Sequence, residues 1–507
     1  MGMLDAAITD DQLGGLDRET VQGIIRRASA PGFERFQAQL RSTGGCARPV
    51  MLRGVVCDSD GELIWSTAEE PDGVLRKACG NRREAVCPAC AERYRQDAYH
   101  LIAAGLRGGK GVPDSVTAHP FVFATLTAPS FGHVHTCPLG KDGKPKRCRP
   151  RRDVPVCPHG VRLSCGEVHD EHDPCLGQPL CVECFDHEAA VLWNNTLGEL
   201  WRRTTVYLPR HLAAVLGMTQ KRLRKLARVS YVKVAEYQAR GLVHLHVAIR
   251  LDRAMPDYRK DELRPPDPRF TTELLEHAVH GAVDAVSAPI AENLVAELGQ
   301  RRVQWGQERD VQRIDDPGKL AGYLAKYSTK STEQAGGLLH PIAAKEVESA
   351  KVTEHVRCYL RQAFRLDQIA QDEAAKHDDK ELTDAQRKRR DPRLSPNAHK
   401  LGCRGHCLTK SRRWSTTFTA MRQAREQYVH EQLLVRQGVS ASQRALAQLD
   451  PERRMSRFRF EGVDHFTAGD AFFAAQVHGR TRERPRLARE GPCDRQREKQ
   501  STGEEVR

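Results

Sequence analysis

Two β-like runs joined by a four-residue turn restrict this chain more than any other stretch. Tyr231 to Tyr237, YVKVAEY, alternates polar and apolar residues, QARG supplies a turn, and LVHLHVAIRL returns. This pattern reads as an antiparallel hairpin. A strand sends successive side chains to opposite faces, so His244 and His246 share one face and Leu245 takes the other. With the turn centred near Arg240, Glu236 comes to lie opposite His244, and cross-strand partners sit within about 5.5 Å at Cβ. The register therefore predicts one carboxylate and two imidazoles converging on one side of a sheet. Such a set holds a divalent cation with positions left open for a substrate oxygen.

A second stretch, Gly322 to Lys330, GYLAKYSTK, reads as helical. Asp315-Asp316-Pro317-Gly318 marks its start, with Pro317 in the first turn. Residues four apart share a helix face, so Tyr323 and Tyr327 project together with Lys326 beside them. Beside a cation, a phenol is a nucleophile for a phosphodiester, giving a 5′-phosphotyrosine and a free 3′-hydroxyl. The tyrosyl ester conserves the energy of the broken bond, so rejoining needs no nucleotide. In keeping with this, no GxxxxGK[ST] phosphate loop occurs; GLRGGK at 105–110 is followed by Gly111.

Charge supplies the substrate class. Lys and Arg number 80 against 66 Asp and Glu, and an excess of 14 positive charges along the chain points to a polyanion, nucleic acid first. No segment approaches the roughly 18 apolar residues of a membrane span, and the acidic start MGMLDAAITDDQLGG lacks a signal-peptide core. A cytoplasmic location is expected. There the 16 cysteines are read as metal ligands before disulfides. Cys87-Pro-Ala-Cys90 is a zinc knuckle with Cys79 as third ligand and Cys46 as first choice for the fourth, Cys57 being the alternative. A second Cys/His-rich segment, 131–185, has no regular pattern and needs a staple. Cys181 and Cys184 anchor it; Cys157 and Cys165 are the chosen partners, with Cys148, Cys175 and His169 in reserve. One or two structural Zn²⁺ sites are expected.

Around these motifs the chain divides into six parts. Residues 1–115 carry the first knuckle, with one or two amphipathic helices before residue 45. A nicking domain at 116–335 contains strand FVFATLT, the 131–185 insertion, helices at Glu188–Arg203 and after Pro209, a helical 271–298, and an edge strand or hairpin in RVQWGQERDVQRI. A helical extension (336–367), a charged linker (368–396), a basic unit (397–478) and a disordered basic tail (479–507) follow. KRLRKLAR at 221–228 is a solvated face or a phosphate contact. In the 397–478 unit, Lys410, Arg412, Arg413 and Trp414 combine charge with an aromatic ring, which suits DNA contact. Cys403 and Cys407, near His399 and His406, are a weaker metal candidate.

At these residues the chain resembles the HUH endonucleases, and within them the rolling-circle replication initiators of actinobacterial plasmids and integrative elements. FATLT is similar to the family's first motif, HLHVAI to its metal motif and YLAKYSTK to its tyrosine motif. The resemblance continues through CGNRREAVCPACAERYRQDAY, LCVECFDHEAAVLWN and GHCLTKSRRWSTTF, covering most of residues 45–420. It implies an α+β fold, ferredoxin-like or RRM-like, with about five antiparallel strands, the His strand central and the tyrosine helix across it. It also implies Mg²⁺ or Mn²⁺, nicking of origin DNA in double- and single-stranded form, and a host helicase and polymerase. Cys403 and Cys407 depart from the aromatic residues of relatives. A relaxase or transposase of the same chemistry is the nearest alternative; a non-catalytic zinc-containing DNA-binding regulator is the alternative from another class.

Overall fold

The computed structural model describes residues 15–58, 60–256, 262–376, 382–436 and 455–482. The chain forms two units, one of Met1–Arg95 with Met421–Arg507 and the other of Gln96–Ala420. This division is coarser than the six parts expected from sequence. The stretch assigned to a separate basic unit is shared out: 397–420 folds with the histidine hairpin, and 455–482 folds with the N-terminal residues.

In the Gln96–Ala420 unit, five strands make one sheet. They are β1 (Phe121–Leu126), β2 (Ala227–Tyr237), β3 (Val243–Arg253), β4 (Arg309–Arg313) and β5 (Leu408–Lys410), in the order β5-β2-β3-β1-β4. Every pairing is antiparallel, and β3, the histidine strand, is central. Alternation decides its two faces. Ile249 on β3, Tyr231 on β2 and Leu126 on β1 meet helices α1 (His187–Val215) and α2 (Thr272–Ala285) through Trp201, Leu208, Val279 and Ala282. Burying side chains of this size stabilises by about 1.5–3 kcal/mol each. His244 and His246 lie on the opposite face, where α3 (Pro317–Tyr327) packs.

The hairpin turn is held from three sides. Gly241 has φ +81°, and a Cβ there would meet the Tyr359 ring at 2.8 Å, so both backbone and space require glycine. Asn194 of α1, fully buried, donates to the Gly241 carbonyl at 2.9 Å and accepts from Val243 N–H. Tyr359, on α4 (Glu354–Ala374), donates its hydroxyl to the Arg240 carbonyl at 3.0 Å. The other end of the hairpin is fixed by a buried charge network. Asp252 accepts from Arg250 and Ser230 and pairs with His119, and Arg250 also donates to the Gly105 and Arg413 carbonyls.

Several local expectations are corrected. The two helices placed either side of Pro209 are one helix, α1, which runs through it. The helical 271–298 reading is broken after Ala285, where Val286 is extended and Ser287–Pro289 pairs with Arg302–Gln304, and it resumes only in Glu292–Leu298. The described residues of the charged 368–396 linker are largely helical: α4 continues to Ala374, and Asp384–Arg390 forms a further helix behind a Thr383 cap. Residues 479–482 of the expected tail are helical, and the rest of that tail lies outside the described residues.

The other unit has a four-stranded sheet in which Val50–Cys57 pairs with Met455–Val463, Leu63–Ser66 and Leu75–Lys77. Helices Arg18–Ala28 and Phe33–Thr43 bury Ile24, Phe36 and Leu40 against Phe473, Ala474 and Val477. Arg27 and Asp470 pair at 2.6 Å beside that core. Among the described residues, no helix is long and apolar enough to cross a membrane.

Candidate metal and tyrosine site

The hairpin register agrees with the sequence reading: Glu236 pairs with His244, and Val234 with His246. Glu236 Oε2 lies 2.6 Å from His246 Nε2. The other ring nitrogen, His246 Nδ1, lies 3.2 Å from Thr125 Oγ1 on β1. Thr125 thereby fixes the ring's orientation and leaves Nε2 toward Glu236. His244 Nε2 is buried with no hydrogen-bond partner among the described residues. Burial, with Arg240 nearby, pushes the His244 imidazolium down to about 3, so the ring is neutral at ordinary pH. A neutral imidazole with an unpartnered buried nitrogen, beside a carboxylate–imidazole pair, is the donor chemistry of a divalent-cation site. These residues fit such an ion.

Helix α3 starts where the sequence places it. Asp316 accepts from the Gly318 and Lys319 N–H groups at 2.9 Å each, and Pro317 opens the helix. Four-residue spacing brings the Tyr323 and Tyr327 ring centroids to 4.7 Å, and both rings pack on His246, at 5.3 and 5.5 Å. Phe123 on β1 stacks with His246 and meets Tyr323 edge-on. Burial, then the neighbouring phenol and the Glu236 charge, pushes the Tyr323 hydroxyl above its ordinary range; burial and Glu236 do the same to Tyr327. Lys326 is exposed, with Nζ 6.0 Å from the Tyr327 centroid, whereas Lys330 Nζ lies closer, at 5.2 Å. Thr125 and Lys330 were missed from sequence, although both stand inside the quoted motifs FATLT and YLAKYSTK.

The expected DNA-contact residues are placed differently from one another. Trp414 is fully buried, with the Arg250 guanidinium 5.0 Å from its centroid, and a Cβ at Gly105 would strike its ring. It is a core residue, and the reading of it as a base-stacking ring is corrected: its indole sits where no base reaches. Lys410 is turned inward onto the Ser415 carbonyl at 2.9 Å, and burial lowers its ammonium's pKa. Arg412 and Arg413 line a cleft of about 750 Å³ with Arg224 and Arg228. The Cys407 thiol lies 3.3 Å from the Ala235 carbonyl oxygen and 3.6 Å from that of Ser328, and neither Cys403 nor Cys407 joins a donor cluster among the described residues.

Three Cys/His clusters close tightly. In the Met1–Arg95 unit, Cys46, Cys79, Cys87 and Cys90 come together as expected. The Cys46–Cys87, Cys79–Cys90 and Cys46–Cys90 sulfurs stand 3.6–3.7 Å apart, and all four lie within 4.8 Å of one another. Zinc–sulfur bonds of about 2.3 Å in a tetrahedron give sulfur–sulfur edges of about 3.8 Å. Cys57 stays on its strand, outside the cluster. In the insertion, Cys157, Cys181 and Cys184 come together, but their fourth partner is His159. The choice of Cys165 is corrected. Cys157 N–H bonds the Val161 carbonyl in a tight turn that brings His159 back, whereas the Cys148 N–H bonds the Glu167 carbonyl and holds Cys165 beside Cys148. The third cluster is accordingly His135, Cys148, Cys165 and His169.

With this geometry established, similarity to known proteins is informative. Residues 32–479 match the family described as "Replication initiator protein, pSAM2". A "Replication initiator protein" of Streptomyces ambofaciens is 36% identical over 502 residues, covering 94% of this chain and 97% of the relative. No solved structure matches the chain.

Proposed function

The chain belongs to the pSAM2 replication initiator protein family, and from that premise we propose that it starts rolling-circle replication by nicking one strand of its origin through an HUH-type tyrosine transesterification. The observation that carries this reading is the pair of phenols packed on His246, next to an unpartnered His244 nitrogen and Glu236. His244, His246 and Glu236 would hold Mg²⁺ or Mn²⁺, which when bound polarises the scissile phosphate and offsets its developing charge.

The protein's own residues do the rest. One phenol oxygen, of Tyr323 or Tyr327, gives up its proton to solvent and attacks phosphorus; the P–O3′ bond breaks, leaving a 5′-phosphotyrosine and a 3′-oxygen that takes up a proton to become the 3′-hydroxyl. The free 3′-end then primes synthesis by a host polymerase behind a host helicase. Both phenols are held protonated partly by the Glu236 charge, so neutralising that carboxylate favours the attacking phenolate. Lys326 and Lys330 place positive charge at the Tyr327 ring. The second tyrosine is free to cleave at termination while the first still carries DNA.

Origin DNA has a second basic contact in this reading. Arg224, Arg228, Arg412 and Arg413 line a cleft at the opposite end of the β2–β3 pair from Glu236, roughly 25 Å along the strand. Guanidinium groups there suit phosphate contact. Zinc is the ion we assign to the Cys46 and Cys181 clusters, on their thiolate content and edge lengths. The test incubates the protein with supercoiled cognate origin DNA and Mn²⁺ and looks for nicking with a covalent protein–DNA adduct. Tyr323→Phe/Tyr327→Phe is expected to abolish both, and His244→Ala to lower both by about 100-fold or more. Absence of nicking by the wild type, or nicking by the double variant, overturns the reading and leaves a non-catalytic DNA-binding regulator.

A further inference from the structure

The 131–185 insertion lacks the means to hold itself together by burial. Its backbone pairing consists of isolated bridges such as Val134 with Pro179, Arg147 with Val168 and Val156 with Arg162. Leu139, Val154, Val156 and Val168 are all exposed rather than gathered into a core. A segment of this length with so little apolar burial is not stable on hydrophobic contacts alone. Yet it packs closely on the catalytic hairpin: a Cβ at Gly177 would meet Ala239 of the turn at 2.6 Å or less.

The order of its metal-type donors supplies the missing constraint. Along the chain they run His135, Cys148, then Cys157, His159, then Cys165, His169, then Cys181, Cys184. The first and third pairs form one cluster, and the second and fourth pairs form the other. We propose that the insertion is a cross-braced module of two zinc ions, the first held by His135, Cys148, Cys165 and His169, the second by Cys157, His159, Cys181 and Cys184. Each ion closes a loop that overlaps in sequence with the loop closed by the other, so neither leg of the insertion leaves its place while both ions are bound.

The first centre carries its own signs of ligation. Its four donor atoms lie within 4.8 Å of one another. Cys165 Sγ stands 3.5 Å from His169 Nε2, matching the sulfur–nitrogen edge of about 3.5 Å in a zinc tetrahedron. His135 Nδ1 is buried without a hydrogen-bond partner among the described residues. The remaining nitrogen of His169, Nδ1, lies 2.8 Å from Asp173 Oδ2, the carboxylate–imidazole pairing that orients a zinc-ligating ring. Cys175 Sγ is 3.4 Å from that same outward nitrogen and 3.8 Å from Nε2, and it groups with His169 and Asp173 rather than with His135, Cys148 and Cys165. At the second centre, His159 Nδ1 stands 3.3, 3.6 and 3.9 Å from the Cys184, Cys181 and Cys157 sulfurs.

Metal analysis of the full-length chain tests this, independently of the nicking reading. Purified wild type is expected to hold three zinc ions, two in the insertion and one at Cys46, Cys79, Cys87 and Cys90. Cys148→Ser is expected to lose one, or two if the brace opens as a whole, and Cys175→Ser to lose none. Because Cys148→Ser can unfold the insertion outright, Asp173→Asn is the second probe. It retains all the ligands and is expected to weaken one zinc equivalent by about tenfold or more in chelator competition. A wild-type zinc content unchanged by Cys148→Ser, loss in Cys175→Ser, or unaltered affinities in Asp173→Asn would each overturn the proposal.

Discussion

The hairpin site and the cysteine clusters use overlapping chemistry to opposite ends. At Cys46, Cys79, Cys87 and Cys90 four thiols gather within 4.8 Å of one another, three of the sulfur–sulfur distances being 3.6–3.7 Å. At the hairpin, three donors face one another without closing: Glu236 bonds His246 while the buried His244 nitrogen has no partner, and no set including them closes within 4.8 Å among the described residues. A closed tetrahedron has no room for substrate, whereas an open set of hard donors exchanges its ion and admits a phosphate oxygen. The difference lies in backbone as well as ligand type. The hairpin donors stand on adjacent strands that hold them apart, while Cys46, Cys79 and Cys87 sit on loops that meet Cys90 in the first turn of a helix.

The sharpest way to break this contrast is to strip one kind of site and leave the other. His244→Ala is expected to lower nicking by about 100-fold or more with zinc content and thermal midpoint unchanged. Mild chelation should act like the variant and be reversed by Mn²⁺. A fall in zinc content in His244→Ala would show that the two kinds of site are not separate. A smaller effect is expected from Thr125→Val, which removes the partner of His246 Nδ1 but no ligand. Mn²⁺ dependence of nicking should shift about tenfold toward higher concentration, without loss of maximal rate at saturation. An unshifted Mn²⁺ curve removes Thr125 from the account.

The smallest effect concerns acid. His187 and His355 meet at 2.9 Å, and His355 Nε2 also bonds the Arg240 carbonyl of the hairpin turn. Burial lowers both to about 4. An imidazole whose folded pKa lies below its unfolded value of about 6.5 contributes stability that is present above pH 6.5 and lost as pH falls toward 4. Denaturant unfolding between pH 7 and 4.5 should show that loss, and His355→Gln should flatten it relative to wild type. Equal slopes in the two proteins would rule out the pair as its source.

How legible each region was follows from the same contrast. Strand and helix periods are countable, so Glu236 opposite His244, the two tyrosines on one face and the Asp316 cap could be read from spacing alone. The CPxC knuckle was legible because its turn is local. The insertion has no period to count, and backbone bonds such as Cys148 to Glu167 decide that His159 and not Cys165 joins Cys157. Trp414 in a basic run reads equally as a DNA contact and as core; the tight approach of Gly105 settles it as core, and that contact is distant in sequence. Pro209 misled because a proline usually ends a helix, whereas α1 is buried along enough of its length to continue. The pairing of Val50–Cys57 with Met455–Val463 joins opposite ends of the chain, which no local pattern announces.

The central claim is that a tyrosine on α3 becomes joined to DNA. Its most direct measurement is mass spectrometry of the protein–DNA species formed with Mn²⁺ on cognate supercoiled origin DNA, after nuclease trimming and proteolysis. The account predicts nucleotides attached through a 5′-phosphate to the peptide carrying Tyr323 and Tyr327. Nicked DNA with a free 5′-phosphate and no linked peptide, or linkage to a residue elsewhere in the chain, would contradict it.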